Sequence, residues 1–157
     1  IEKLLIKLDR SDVSTAKNSI TFERMKGQLS LPVIGEIAQK FGTNRNVGRM
    51  QWRGLFINAP EGEPIYAIHS GKIVFADWLR GFGLLIIINH GQGYMSLYAH
   101  NQKINYQSGD LVLAGETIAN VGNTGGQAEP GLYFEIRIDG SPTDPQIWCQ
   151  ARSKRAA

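Results

Sequence analysis

Short apolar segments separated by glycine-containing turns fill the chain from Leu31 onward, and this pattern limits the fold more than any other feature of the sequence. Three connectors, at 79–83 (LRGFG), 89–93 (NHGQG) and 122–126 (GNTGG), contain residue types that tolerate a positive φ in tight turns. Apolar segments spaced about ten residues apart, with such turns between them, are typical of antiparallel β-structure. We therefore predict a mainly β fold with an antiparallel sheet and strands near these positions: 55–58, 65–68, 72–77, 84–89, 94–100, 117–121 and 132–138.

Two segments inside this region depart from the general pattern. The run 84–88 (LLIII) has no polar residue in alternation with its apolar ones, so we predict a central strand that is covered on both faces. The segment 36–41 (EIAQKF) has the spacing of a short helix, and we predict a helix there.

The N-terminal residues predict short helices. Four aliphatic side chains share one face at the i, i+3, i+4, i+7 spacing: Ile1, Leu4, Leu5 and Leu8. A helix this short is not stable alone, so we interpret it as the end of a longer helix or coiled coil, with packing on its own domain as the alternative. A second helix is predicted over 20–26, ending at Gly27.

The net charge of +3 comes from the two ends of the chain and not from its middle. Residues 31–149 carry eight Lys or Arg against ten Asp or Glu, whereas 150–157 carry three Lys or Arg and no acid. A slightly acidic body does not favour nucleic acid as a partner. We divide the chain into a helical N-terminal segment (1–28), a β domain (29–149) and a basic tail (150–157).

The sequence contains no standard metal-binding or nucleophile motif. A hydrolytic zinc site needs about three ligands, yet no two of the three histidines, His69, His90 and His100, lie within four residues of each other. A site assembled from distant parts of the chain stays open. We expect His90 to be structural and His69 to face solvent in a turn.

The order of segments from Leu31 to Trp148 resembles the LytM-type, lysostaphin-like zinc endopeptidase domain, which cuts peptidoglycan crosslinks. The resemblance implies a duplicated-hybrid-motif-like β-sheet and covers about 115 residues, by count along the sequence. It is carried by these stretches, in the family's order: 31–35 (LPVIG), 41–42 (FG), 53–60 (RGLFINAP), 65–67 (IYA), 71–74 (GKIV), 89–91 (NHG), 97–100 (LYAH), 121–125 (VGNTG), 132–136 (LYFEI) and 144–145 (DP).

The chain departs from this family at the positions that carry the chemistry. Active members have H-x-G-x-D where residues 52–56 read WRGLF, and H-L-H-F-E where residues 131–135 read GLYFE. The three zinc-ligand positions are aromatic here: Trp52, Phe56 and Tyr133. Of the two catalytic histidine positions, Gly131 has no imidazole and His100 retains one. Without a zinc ion to activate water, one histidine cannot hydrolyse an amide at a useful rate, so we predict no cofactor and no peptidase activity.

Alternation along the strands predicts what the former metal cleft has become. Gly131, Tyr133, Glu135 and Arg137 share one face of a strand, and Tyr98 and His100 share a face of another. The stretch 40–53 adds four basic residues: Lys40, Arg45, Arg49 and Arg53. We predict an aromatic groove with a basic rim, a composition typical of protein-binding sites, with a cleft filled by core-like residues as the alternative.

Among inactive members, the chain resembles those that activate cell-wall amidases at the bacterial division site. The resemblance implies a periplasmic protein whose groove grips the autoinhibitory helix of a zinc-dependent amidase of the AmiA/AmiB type. It also implies that a longer N-terminal coiled coil receives a signal from an ABC transporter of the FtsEX type, and that such helices cover the groove until released. With only the last part of that region present, we expect an open groove. The implied groove residues are Arg53, Phe56, Phe82, Leu85, Tyr98, Tyr133 and Arg137.

Two other functions compete with this one. A groove that keeps its affinity for glycan or stem peptide would make the domain a peptidoglycan-binding module without catalytic activity. A residual zinc endopeptidase would need His100 together with ligands that the sequence does not reveal.

Overall fold

The structure, a computed structural model, describes residues 1–9, 20–45 and 50–152, with side chains in the first range only to residue 5. It contains two α-helices, α1 (Glu2–Asp9) and α2 (Pro145–Trp148), and a 3-10 helix (Phe22–Met25). The strands are β1 (Leu29–Ser30), β2 (Glu36–Gln39), β3 (Leu55–Asn58), β4 (Pro64–Tyr66), β5 (Gly71–Leu79), β6 (Gly83–Gly91), β7 (Tyr94–Ile104), β8 (Leu111–Val112), β9 (Thr117–Val121), β10 (Gly131–Ile138), β11 (Ser141–Thr143) and β12 (Cys149–Gln150). Among the described residues, no helix is both long and apolar enough to cross a membrane.

A ten-stranded antiparallel sheet dominates the molecule and confirms the predicted mainly β fold. Seven strands follow the order β2-β3-β10-β7-β6-β5-β8, β11 extends from β10, and β9 joins β4 to β7. A separate two-stranded sheet pairs β1 with β12 in parallel. Strand β10 lies between β3 and β7. Its pairing with β3 brings residues 52–56 and 131–135, the two stretches that correspond to the family's metal motifs, side by side.

Strand β6 is covered on both faces, as its uninterrupted apolar run predicts. Leu85, Ile86, Ile87 and Ile88 are fully buried. Because neighbouring side chains on a strand point to opposite faces, Ile86 and Ile88 enter one cluster and Leu85 and Ile87 another. We call the first the main core, which also holds Phe22, Tyr98, Phe134 and Trp148. The second is the groove-side cluster: Leu5, Phe56, Val74, Leu85, Ile87, Met95, Leu97, Ala99 and Tyr133.

The helix predicted over 36–41 is wrong, because Glu36–Gln39 forms strand β2 at one edge of the sheet. A helix of one or two turns has no net stability of its own, so pairing with β3 decides the conformation. Gly35 allows this pairing, since a Cβ at that position would lie 2.1 Å from the carbonyl oxygen of Asn58. The helical spacing of residues 36–41 is a weaker influence here than the backbone hydrogen bonds to β3, which form only in the folded domain.

Residues 20–28, which precede β1, pack against the rest of the fold. The helix predicted over 20–26 is a single 3-10 turn, and Gly27 follows it with φ +81°. Phe22 is 2% exposed, and its ring lies 4.8 Å from that of His90 and 5.0 Å from that of Trp148. These contacts cross the predicted division at residue 28, which stays a prediction.

The basic tail also begins inside the fold. Arg152 donates from Nε to the carbonyl oxygen of Leu31 at 2.7 Å and stacks on the ring of Tyr66. Residues 153–157, with Lys154 and Arg155, lie outside the described residues.

The two histidines of the main-core side are both buried. His90 donates from Nδ1 to the Ser70 carbonyl at 2.8 Å and accepts at Nε2 from the Ser96 hydroxyl at 2.7 Å, which fits a structural role. Burial lowers the pKa of His90 to about 3, partly opposed by the bond to Ser70. The expectation that His69 faces solvent is wrong, because its residue is 7% exposed and its ring packs edge-on to Phe22.

Candidate functional site

A cavity of about 290 Å³ opens where β7 and β10 meet the residues before β3 and the turn between β5 and β6. We call it the groove and define it by six residues of its lining: Trp52, Arg53, Phe82, His100, Tyr133 and Arg137. Four of these were predicted groove residues, and the other two are Trp52 and His100, from the degenerate metal and catalytic positions. The groove therefore lies where the resemblance to the zinc endopeptidase family predicts the metal cleft.

Aromatic rings form the centre of the groove around Tyr133. The ring of Trp52 lies 6.0 Å from that of Tyr133, the ring of Phe82 lies 6.2 Å away, and the imidazole of His100 lies 6.4 Å away. The guanidinium of Arg45 stacks over Trp52 at 3.9 Å. This arrangement can receive apolar side chains and offers a cation at its rim.

Phe56 fills the space that a side chain at position 131 would need. A Cβ on Gly131 would lie 2.5 Å from the Cζ atom of Phe56, well inside van der Waals contact. Phe56 is 5% exposed and belongs to the groove-side cluster, so its ring forms floor beneath the groove rather than free wall. The substitutions at these two positions are thus sterically matched, and a histidine at 131 does not fit beside Phe56.

The residues at the former ligand positions do not fit a zinc ion. The indole of Trp52, the phenyl ring of Phe56 and the phenol of Tyr133 replace the nitrogen and carboxylate donors that tetrahedral zinc sites use. Among residues 1–9, 20–45 and 50–152, no group of three or more His, Cys, Asp or Glu side chains is placed to hold a metal ion.

His100 is held in a fixed orientation with an unusual backbone. Its φ is +66°, and its Nδ1 donates to the Thr124 carbonyl at 2.7 Å while its backbone N–H donates to Phe82. Burial lowers the pKa of His100, opposed by the bond to Thr124 and assisted by the charge of Arg45. The imidazole is therefore a neutral, immobilised wall of the groove.

Tyr98 does not lie in the groove, which corrects the expectation that it shares a face with His100. An extra residue in β7 between the pairs Tyr98–Ile86 and Asn101–Leu84 shifts the register, and the left-handed backbone of His100 falls within this bulge. Tyr98 is fully buried in the main core, opposite Phe134. Regular alternation fails at a bulge, and the sequence carries no local signal for this one.

A buried polar chain runs along β10 beneath the rings. Tyr133 donates its hydroxyl to one oxygen of Glu135, and Arg137 donates from Nε to the other at 2.6 Å. Glu135 and Arg137 are 2% and 1% exposed. Burial and the nearby Glu135 carboxylate raise the pKa of Tyr133, so the phenol stays protonated. Burial alone would lower the pKa of Arg137, but the charges and hydrogen bonds of Glu135 and Glu2 outweigh it and raise the pKa.

Helix α1 lies at the Arg53 and Arg137 end of the groove, so the expectation of an open groove is wrong at that end, and the cavity beside the helix stays open. Glu2 accepts from Arg53 at 2.9 Å and from Arg137 at 2.9 Å. Leu5 is 1% exposed and packs in the groove-side cluster, which also contains Leu85. Ile1, Leu4 and Leu5 of the amphipathic stripe pack on the chain's own domain, which was the alternative interpretation of the sequence, and the side chain of Leu8 lies outside the described residues.

The predicted groove residues therefore separate into three groups. Arg53, Phe82, Tyr133 and Arg137 line the groove, Phe56 and Leu85 are buried below it, and Tyr98 lies on the other face. Glu135 was missed as a groove residue, although its place between Tyr133 and Arg137 in the alternation was a usable signal. Glu2 could not have been found, because nothing in the sequence says where α1 docks. Of the predicted basic rim, Arg45 and Arg53 line the groove, and Arg49 lies outside the described residues.

Comparison with known proteins gives a consistent set of relatives. Residues 50–145 match the family described as Peptidase family M23. The chain is similar to the murein hydrolase activator EnvC of Escherichia coli (strain K12), with 44% identity over 78% of this chain and 29% of that protein. It is also similar to the murein hydrolase activator NlpD of Salmonella typhimurium, with 36% identity over 73% of this chain and 29% of that protein. The chain thus spans about a third or less of the length of these two relatives.

A solved structure shows the same fold. A putative M23 peptidase from Pseudomonas aeruginosa superposes with a TM-score of 0.75 and 24% identity, covering 96% of this chain and 59% of that one.

Proposed function

This chain belongs to peptidase family M23, and we propose that it acts there as a non-catalytic activator of cell-wall hydrolases, specifically of zinc-dependent N-acetylmuramoyl-L-alanine amidases. One observation carries the proposal: the site where the family places zinc is an aromatic and basic groove that already holds a helix. Two relatives whose names describe murein hydrolase activators support it.

The groove lacks the groups that peptidase chemistry needs. Amide hydrolysis by a zinc enzyme uses the metal to generate hydroxide and to polarise the carbonyl, and the side chains at the ligand positions 52, 56 and 133 do not supply the donors that zinc sites use. The Nε2 atom of His100 can exchange protons, but its Nδ1 is bonded to the Thr124 carbonyl, and among the described residues that line the groove no second acid or base is free. Glu135 is bonded to both Tyr133 and Arg137.

The same groups suit the binding of an amphipathic helix. Apolar side chains one turn apart on a helix can enter a groove whose floor is apolar and whose rim is charged. Phe82 and Tyr133 supply ring surface, and Arg53 and Arg137 supply cations at one end. A groove of this type would hold the helix that blocks an amidase's own zinc site, and withdrawal of that helix would open the amidase to peptidoglycan.

Helix α1 would compete with the amidase helix, because both need the same surface. We propose that α1 restrains the domain, and that the longer coiled coil implied by the resemblance moves it in response to an FtsEX-type transporter in the periplasm. Complete removal of 1–28 would also remove Phe22 from the main core, so it cannot isolate this effect. The pair Glu2→Gln with Leu5→Ala loosens α1 and leaves Phe22 in place. We expect this variant to stimulate an amidase at lower concentration than the wild-type chain does.

Amidase stimulation tests the proposed function. A LytC-type amidase is mixed with the chain on dye-labelled murein, and release of dye is followed with wild type, Tyr133→Ala and Phe82→Ala. Trp78→Ala is the matched control, since Trp78 is 55% exposed and does not line the groove. We expect stimulation by wild type and the control, and at least a tenfold loss in the groove variants. Stimulation that survives both groove substitutions would place the interface elsewhere.

A peptidoglycan-binding module is the second candidate, because Arg45, Arg53 and Arg137 could also bind the carboxylates of stem peptides. Co-sedimentation with purified sacculi in the absence of amidase separates the two functions. Binding that disappears in Arg53→Glu, together with no amidase stimulation by wild type, would favour the module. Stoichiometric zinc in the purified chain, measured by elemental analysis, would overturn both in favour of a peptidase.

A further inference from the structure

We propose that the groove selects its partner helix by one glutamate, gripped jointly by Arg53 and Arg137, followed three residues later by an aliphatic side chain. The occupant is a helix of a partner protein with the pattern Glu-x-x-Leu or Glu-x-x-Ile. This inference rests on the proposed function and adds to it a rule for what the groove accepts.

Two guanidinium groups from distant parts of the sequence converge on one carboxylate. Arg53 precedes β3 and Arg137 lies in β10, yet the Nη1 atoms of both donate to the same oxygen of Glu2, at 2.9 Å and 3.1 Å. Arg137 also donates to the second oxygen at 2.9 Å. Charge-assisted bonds of this kind are among the strongest that proteins use for carboxylates. A helix without an acid at this position would leave Arg137 buried with one of its partners missing.

Glu135 positions Arg137 for this contact. It accepts from Nε of Arg137 at 2.6 Å, and the Gly140 carbonyl accepts from Nη1 at 3.0 Å. Because these bonds fix the plane of the guanidinium, Nη1 also points at the carboxylate of Glu2 on the helix. Arg137 balances the charge of Glu135. Because Arg45 and Arg53 also line the groove, the groove presents a net positive charge to a ligand.

The spacing of the rule comes from the seat of Leu5. Residues i and i+3 of a helix lie on the same face, so a helix that places Glu2 between the arginines places Leu5 on the groove floor. Leu5 is 1% exposed and packs in the cluster of Phe56 and Leu85. Helix α1 therefore displays both parts of the pattern, and a partner helix that replaced it would need both.

A peptide-binding assay on the full chain tests the rule. The chain carries Glu2→Gln and Leu5→Ala to loosen α1, and the probe is a fluorescent helical peptide of about 18 residues containing the sequence of residues 1–8 (IEKLLIKL). A second peptide has Gln in place of the glutamate, and a third has Lys. Fluorescence anisotropy measures each affinity. We expect the Gln peptide to bind about tenfold more weakly than the Glu peptide, and the Lys peptide more weakly still.

Charge exchange makes the test specific. In a chain that also carries Arg53→Glu, we expect the preference for Glu over Lys to shrink at least tenfold. Lys103→Glu is the matched control, an exposed strand residue outside the groove lining with the same change of charge, and should keep the preference. A Glu135→Gln chain that stays folded by circular dichroism should lose part of the preference while still binding through the aliphatic residue. Equal affinities for the Glu and Gln peptides, or equal effects of the Arg53 and Lys103 substitutions, would overturn the rule.

Other occupants give different results. If the groove holds α1 of a second copy, sedimentation of the wild-type chain will show a dimer that Glu2→Gln weakens. If it holds stem peptides, sacculi will displace the Glu peptide. Either result overturns the proposed occupant. Failure of the rule is distinguishable from failure of the proposed function. If Arg53→Glu and Lys103→Glu change amidase stimulation equally, the rule alone is wrong. If the peptide preference is intact but no variant stimulates an amidase, the proposed function alone is wrong.

Discussion

The two faces of the sheet are covered in different ways. The main core is closed by Phe22 and Trp148, whose segments are joined by backbone bonds from Gly27 to Trp148 (3.0 Å) and from Leu31 to Gln150 (2.8 Å). The groove-side cluster is covered by α1, and among the described residues no backbone hydrogen bond joins α1 to another element.

The polar groups of the two faces differ in the same sense. On the main-core side, His90, Ser96 and Tyr98 form a hydrogen-bonded chain whose ends reach the Ser70 carbonyl and the Ile68 amide. On the groove side, the chain of Tyr133, Glu135 and Arg137 is completed by Glu2 of α1. The polar chain on one face ends on the backbone of the β domain, and the chain on the other face ends on a helix of the N-terminal segment. A surface that needs an outside carboxylate and an outside aliphatic residue is suited to recognition.

The largest expected effect is on the main core. Phe22→Ala should lower the free energy of unfolding by about 3–5 kcal/mol, because a buried ring that contacts His90, Tyr94 and Trp148 leaves a cavity. Urea denaturation measures the change. Leu5→Ala on the other face should cost much less, since α1 can detach instead. If Phe22→Ala and Leu5→Ala lowered the free energy of unfolding by similar amounts, α1 would be as tightly packed on its face of the sheet as the Phe22 segment is on the other.

The second effect concerns the former catalytic position. Gly131→His should destabilise the fold by about 3 kcal/mol, because even its Cβ would collide with the Phe56 ring and the Ile57 carbonyl. The variant should also bind no zinc, measured by elemental analysis after dialysis against the metal. Gly140→Ala is a control for introducing a side chain where no atom lies within 4 Å, although its φ of +83° adds some strain. Wild-type stability in Gly131→His would mean that Phe56 moves freely.

The third effect is a dependence of main-core stability on pH. Burial lowers the pKa of His90 to about 3, so the folded state keeps His90 neutral while the unfolded state takes up a proton below about pH 6.5. The stabilisation is fully present above that pH and is lost as pH falls, by about 2 kcal/mol between pH 6.5 and 5 for this residue. Between pH 6.5 and 5, the free energy of unfolding, measured by urea denaturation at each pH, should fall more steeply with decreasing pH for wild type than for His90→Gln. Parallel curves for the two proteins would contradict the assignment.

The smallest effect is on the cover of the groove. Glu2→Gln should lower the free energy of unfolding by about 1 kcal/mol or less, since Glu2 is half exposed and its bridge to Arg53 is solvated. Hydrogen exchange at the Leu5 amide, which bonds to Ile1 within α1, should nevertheless speed up as the helix detaches more often. Unchanged exchange would mean that Leu5 alone holds α1 in place.

Much of the site followed from residue types and strand alternation. The aromatic residues at positions 52, 56 and 133 already showed that the usual zinc donors of the family are replaced there, and alternation along β10 placed Tyr133 and Arg137 on one face. The prediction failed at Tyr98, because a bulge at His100 reverses which residue of β7 faces the groove. It failed again at 36–41, where an edge ladder outweighed a weak helical pattern.

The sequence by itself determined the strands, their turns and the loss of metal ligands, because these depend on side-chain chemistry and on periodicity over a few residues. It also determined that α1 has one apolar face that needs a partner. Only the tertiary structure decided that this partner is the groove, that Glu2 lies between Arg53 and Arg137, and that Tyr98 belongs to the main core. These outcomes depend on contacts between residues far apart in the chain, whose geometry no local pattern encodes.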